Sequence, residues 1–161
     1  MKIKLFKVLS DGSKEEIDSS SLLQTDGNDL FVPETAKLIT TRQQEREIYG
    51  SNSNPPARYM VQLVIDDKLI GYAIWIGMPA IAYWCGYCYV PECWVSFGQI
   101  IMEDVPEITY ANKEKNVIGW DHAHYEDLKH HVNFSYVLLE IWNIWKFTHN
   151  NTPNSEHKED L

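Results

Sequence analysis

Apolar and polar positions alternate through residues 2–9, where Lys recurs between Ile3, Leu5, Phe6 and Val8, and this run reads as a first strand ending in the polar loop Asp11-Gly12-Ser13. Residues 33–49 read as a helix, opened by Pro33-Glu34-Thr35 with an acid in the first turn and closed by Gly50. The stretch Ser51-Asn52-Ser53-Asn54-Pro55-Pro56 stops regular structure and marks a boundary between this N-terminal strand-helix arm, residues 1–50, and the main body, residues 58–148. The body opens with two β-rich runs, 58–65 and 69–76, joined by Asp66-Asp67-Lys68 as a hairpin. A third, strongly aromatic strand over 81–90 is expected to lie centrally and to let a neighbour approach its backbone at Gly86. Shorter runs at 99–102, 107–111 and 116–120 complete a mostly antiparallel sheet.

The period then changes. Phe134, Val137, Leu138, Ile141, Trp142 and Trp145 fall at the three-and-four spacing of an amphipathic helix that can lie across the sheet, and the polar tail 150–161 frays. The reading is a single α+β domain over residues 1–161: a mostly antiparallel sheet packed by a C-terminal helix and preceded by the strand-helix arm.

Composition narrows the classes. A chain of 161 residues with 44% hydrophobic content buries a core without staples. Fourteen Lys and Arg against twenty-three Asp and Glu give 14 − 23 = −9, which disfavours a long nucleic acid, whose backbone binds through cations. The N-terminal run is too polar for a signal peptide, and the apolar stretch 69–90 is broken by Gly71, Gly77, Pro79 and Gly86, so neither export nor a membrane partner is expected and a cytoplasmic location is. Cys85, Cys88 and Cys93, an odd set, read as free thiols.

Candidate chemistry concentrates in residues 117–127, where the apolar run Val117 to Trp120 gives way to Asp121, His122, His124, Glu126 and Asp127. Imidazoles exchange protons near neutral pH, and acids beside them raise their basicity and fix their tautomer. Two imidazoles with Asp121 or Asp127 would hold a divalent metal and activate water, provided the backbone stays extended so that His122 and His124 share a face. Without metal, His124 oriented by Asp121 or Asp127 serves as general base or acid, with His122 assisting. The structural alternative is that Asp121 caps the turn that follows and the acids solvate a helix start.

Cys85-Gly86-Tyr87-Cys88, with Cys93 beyond, chelates zinc only if Gly86 permits a turn; otherwise these are buried small hydrophobes. The aromatics of residues 75–94, with Trp84 and Tyr87 foremost, offer stacking faces for a base, although most belong in the core.

Three segments, Tyr83-Trp84-Cys85-Gly86-Tyr87-Cys88-Tyr89-Val90-Pro91, Val105-Pro106-Glu107-Ile108-Thr109-Tyr110-Ala111 and Ile118-Gly119-Trp120-Asp121-His122-Ala123-His124-Tyr125-Glu126-Asp127, resemble a family of small phage and prophage proteins. That family carries Cys-Gly-Tyr-Val-x-Val-Pro, Val-His-Gly-Gly-Leu-Thr-Tyr and Gly-Phe-Asp-Cys-Ala-His-x-x-Asp elements. The overlap covers about residues 59–127, and Cys85, Gly86, Tyr87, Pro91, Thr109, Tyr110, Gly119, Asp121, Ala123, His124 and Asp127 match by position. Glu107 stands in the element where relatives have His, and His122 and Cys88 replace the family's Cys and Val.

The resemblance implies an anti-defence role in an infected bacterial host, in which a small protein removes a nucleotide immune signal such as a cyclic dinucleotide or an ADP-ribose derivative. The leading expectation is a phosphodiesterase-like hydrolase with Asp121, His122, His124 and Asp127 as its acid-base set and Trp84, Tyr87, Glu107, Thr109 and Tyr110 as ligand contacts. The alternatives are a non-catalytic sponge for the same ligand and an inhibitor of a host protein. Metal dependence is left open, and a homo-oligomer is expected only on the base rate of two-fold assemblies.

Overall fold

Residues Ile3–Val8 form β1, with Leu5 and Lys7 buried on one side and their neighbours only partly covered, the alternation that the sequence dictates. The computed structural model describes residues 1–9, 11–25, 27–37, 58–77, 82–96, 106–123 and 134–152. In chain order, β1 is followed by β2 (Lys14–Ile17), β3 (Leu23–Gln24), β4 (Leu30–Phe31), α1 (Glu34–Lys37), β5 (Arg58–Ile65), β6 (Lys68–Gly77) and β7 (Ala82–Tyr89). A 3-10 turn at Glu92–Trp94, β8 (Tyr110–Asn112), β9 (Val117–Asp121) and α2 (Phe134–Asn150) complete it.

Seven strands make one sheet in the order β2-β1-β5-β6-β7-β9-β8, and every neighbouring pair is antiparallel. The α+β architecture with one C-terminal helix across an antiparallel sheet is therefore present. β1 lies between β2 and β5, so the N-terminal strand belongs to the sheet itself. The β5–β6 hairpin turns on Asp66 and Asp67, both at positive φ (50° and 65°), the backbone that a two-residue loop needs to match strand twist. β7 is internal, as its aromatic, Gly-containing run suggests. The expected strand at 99–102, most of the helix over 33–49 and most of the tail lie outside the described residues.

Alternation divides the sheet into two faces. Leu5, Val61, Leu63, Ala73, Trp84, Cys88, Ile118 and Trp120 turn toward α2, and each is at most 1% exposed. α2 answers with Val137, Leu138 and Ile141, all fully buried, and packs chiefly on β6 and β7. Burying each such aliphatic side chain contributes roughly 1.5–3 kcal/mol. The helix approaches closely at Gly71, where a Cβ would lie 2.6 Å from Ile141 Cγ2. The β3–β4 hairpin and α1 lie on this same side: the Trp142 indole donates to Asn28 O at 2.9 Å, Lys146 pairs with Asp29, and Leu22, Leu30, Val32 and Ala36 join the core. Among the described residues no helix is long and apolar enough to cross a membrane.

Candidate functional site

The register of β7 with β9 decides what the chemistry-bearing residues can reach. Cys85 pairs with Asp121, Gly86 with Trp120 and Tyr87 with Gly119. Successive strand residues point to opposite faces, so glycine and aromatic trade places across these strands, once on each face. A Cβ on Gly86 would meet Trp120 ring carbons at 2.6 Å, and one on Gly119 would meet Tyr87 Cδ1 at 2.7 Å. Each glycine makes the room into which its neighbour's ring fits.

On the face away from α2 the register aligns Gln62, Tyr72, Tyr87, Gly119 and Tyr110 in one row across β5, β6, β7, β9 and β8. Tyr72 and Tyr87 stack with centroids 4.9 Å apart and planes at 16°, and Tyr110 meets Tyr87 edge-on at 5.5 Å and 81°. Tyr110 is 42% exposed, and its hydroxyl accepts a 3.3 Å hydrogen bond from Asn112 Nδ2. Beside this row, at the end of β9, Asp121 Oδ1 accepts the Ala123 amide at 3.1 Å, and the Thr109 hydroxyl donates to Oδ2 across a longer 3.5 Å. The first contact is a local Asp turn, the structural alternative for this residue. Each carboxylate oxygen keeps further acceptor capacity.

His122 continues the ladder by one residue, its amide donating to Trp84 O at 2.9 Å, and its ring goes to the helix side. There Nε2 lies 2.6 Å from Glu140 Oε1, and the Trp120 indole donates to the same oxygen at 3.2 Å. The His122 and Glu140 side chains are 12% and 21% exposed, so the pair sits at the rim of the core, where a hydrogen bond to a charged group is stronger than one between neutral groups. Asp121 and His122, adjacent in sequence, thus serve opposite faces and do not share one ion or one substrate atom.

Of the residues singled out in the sequence, Asp121, Thr109, Tyr110 and Tyr87 come together. Glu107 is exposed ahead of β8. Trp84 is 1% exposed, with its ring between Trp75 at 5.3 Å and Phe134 at 5.6 Å, and is a core residue. His124 and Asp127 lie outside the described residues. Glu140 was missed. Its signal was available, since it is the single charged residue between Phe134 and Trp145 in an otherwise uncharged helical run.

β7 runs unbroken through Gly86, so Cys85 and Cys88 face opposite ways and form no chelating turn. Cys88 is fully buried, its Sγ 3.4 Å from Ile141 O, and burial pushes its thiol far above the usual range, which makes it unreactive. Among the described residues no three His, Cys, Asp or Glu side chains are grouped to hold a metal ion.

The fold and this geometry define an α+β protein whose sheet carries a row of tyrosines with one carboxylate, Asp121, beside it. No family model, no curated protein and no solved structure matches the chain.

Proposed function

We propose that this chain binds and sequesters a small nucleotide-type ligand, of the class of cyclic dinucleotides and ADP-ribose derivatives, at the β8–β9 end of the sheet face away from α2. The observation that carries the reading is the convergence of the exposed Tyr110 ring with Tyr87 at 5.5 Å and with the Thr109–Asp121 pair beside them. A tyrosine ring offers a base a stacking surface worth roughly 1–3 kcal/mol. Asp121 is an acceptor for the amino and imino donors of a base edge, and the net charge of −9 favours a ligand read through its base over one held by many phosphates. The role in evading host defence rests on the resemblance to phage proteins.

Hydrolysis of a phosphodiester or nucleotide-type bond is the second reading, favoured by the 2.6 Å contact between His122 and Glu140, which orients an imidazole as a general acid or base requires. One experiment separates the two. The purified protein is incubated with a panel of cyclic dinucleotides and ADP-ribose derivatives, with and without chelator, and each compound is followed by chromatography before and after heat release. Sequestration predicts that a compound disappears on mixing and returns intact on heating. A new product instead makes the protein a hydrolase, and its loss with chelator makes that hydrolase metal-dependent.

A further inference from the structure

We infer, resting on the binding reading above, that the base of the ligand is guanine and that Asp121 is the residue that selects it. The three side chains involved are open in the single chain: Thr109 and Tyr110 are exposed and Asp121 is half-buried.

The backbone brings them together. The Thr109 amide donates to Gly119 O at 2.9 Å, while Tyr110 is the register partner of the same Gly119. Two residues of one chain segment thus oppose one of its neighbour, the arrangement of a β-bulge, which re-aims a side chain. Here it turns the Thr109 hydroxyl toward Asp121 Oδ2. Asp121, two residues beyond Gly119, shares the face of Tyr110 by alternation. Such diagonal neighbours lie about 7–8 Å apart, a gap that a purine stacked on the Tyr110 ring spans with its Watson–Crick edge.

The contacts already made by Asp121 decide which base fits. Oδ1 accepts the Ala123 amide at 3.1 Å and Oδ2 faces the Thr109 hydroxyl at 3.5 Å. Among the described residues no cation pairs with it. A carboxylate donates nothing and carries about four lone-pair sites, so both oxygens stay open, side by side, to a pair of adjacent donors. Of the four common RNA bases only guanine presents such a pair, N1–H and the N2 amino group. Adenine and cytosine set a ring-nitrogen acceptor beside their amino group, and uracil flanks its N3–H with two carbonyls. Each of these brings a lone pair against a carboxylate oxygen, and a site built for donors rejects a base that lacks them. Guanine O6 lies next to N1–H. The Thr109 hydroxyl, whose contact is longer than the usual O–H···O limit of about 3.0 Å, is free to turn its proton to O6 when Oδ2 takes N1–H. Within the proposed ligand class this favours guanine-containing cyclic dinucleotides over ADP-ribose derivatives, whose base is adenine.

The test is isothermal titration calorimetry with cyclic di-GMP, cyclic di-IMP and cyclic di-AMP, which share one sugar-phosphate ring and differ in the base edge, on the wild type and on Asp121→Asn checked for fold by circular dichroism. The wild type is expected to bind cyclic di-GMP at least about tenfold more tightly than cyclic di-IMP, which lacks the N2 amino group, and about a hundredfold more tightly than cyclic di-AMP. Asp121→Asn sets an amide donor against the N2 amino group, so the preference of guanine over inosine should vanish or reverse, a change that a purely structural role for Asp121 would not produce. Wild-type binding of either other compound as tightly as cyclic di-GMP overturns the inference and leaves the binding reading in place, as does a folded Asp121→Asn variant that keeps the guanine preference. Binding of none of the three overturns it too, and the binding reading falls with it only if the ADP-ribose derivatives are also left unbound.

Discussion

Trp120 packs its indole against Gly86, its cross-strand partner, so closely that a Cβ there would lie 2.6 Å from the ring. Replacing a strand glycine with alanine normally gains about 0.4–1 kcal/mol from the unfolded chain, whereas overpacking a filled core costs about 1–3 kcal/mol. The Trp120 ring is 1% exposed and hydrogen-bonded to Glu140, so it has little freedom to yield, and the cost wins. Gly86→Ala is expected to lower stability by about 2 kcal/mol in urea unfolding; an equal or higher midpoint would show that the ring relaxes.

Glu140 is the acceptor for two donors from β9 and its continuation, Trp120 and His122. Glu140→Ala removes that acceptor and should cost about 2 kcal/mol, in the range of hydrogen bonds to charged groups, while Glu140→Gln, which keeps an acceptor oxygen, should cost about half as much. Ligand retention should survive in both variants, because Tyr110 and Asp121 lie on the other face. Loss of retention in the folded Glu140→Gln variant would tie the helix side to the binding site.

His149 near the end of α2 gives a pH dependence with a defined sign. Burial holds its pKa below the ordinary 6.5, Lys68 acts in the same direction, and a hydrogen bond to Trp145 O opposes them. Its folded pKa is depressed and it is a base, so below about pH 6.5 the unfolded chain binds the proton first and stability falls as the pH drops toward the folded value. Urea midpoints between pH 7.5 and 5 should therefore decline less steeply in His149→Gln than in the wild type. Identical slopes would remove His149 from the account.

Much of this architecture was legible because periodicity is a local property. Leu5 and Lys7 alternate with partly covered neighbours in β1, and Val137, Leu138 and Ile141 recur at helical spacing, so strand and helix could be read directly. Gly86 announced a close approach, although only the register shows that Trp120 makes it. The candidate site was less legible, because it depends on which face a residue takes. Asp121 and His122 read as one cluster, yet adjacent strand positions diverge, and His122 finds Glu140 eighteen residues away on the helix. Trp84 looked like a stacking platform because exposure cannot be read from residue type; the ring is enclosed by Trp75 and Phe134.

The central claim is that Tyr110 and its neighbours hold a nucleotide-type ligand, and equilibrium dialysis of the wild type and Tyr110→Ala against the same panel tests it most directly. The side chain is 42% exposed, so the substitution should leave the fold intact. The account predicts that at least one compound is retained by the wild type and that its affinity falls about tenfold in the variant, the equivalent of one lost base stack. Retention of no compound, or retention that Tyr110→Ala leaves unchanged, would contradict it.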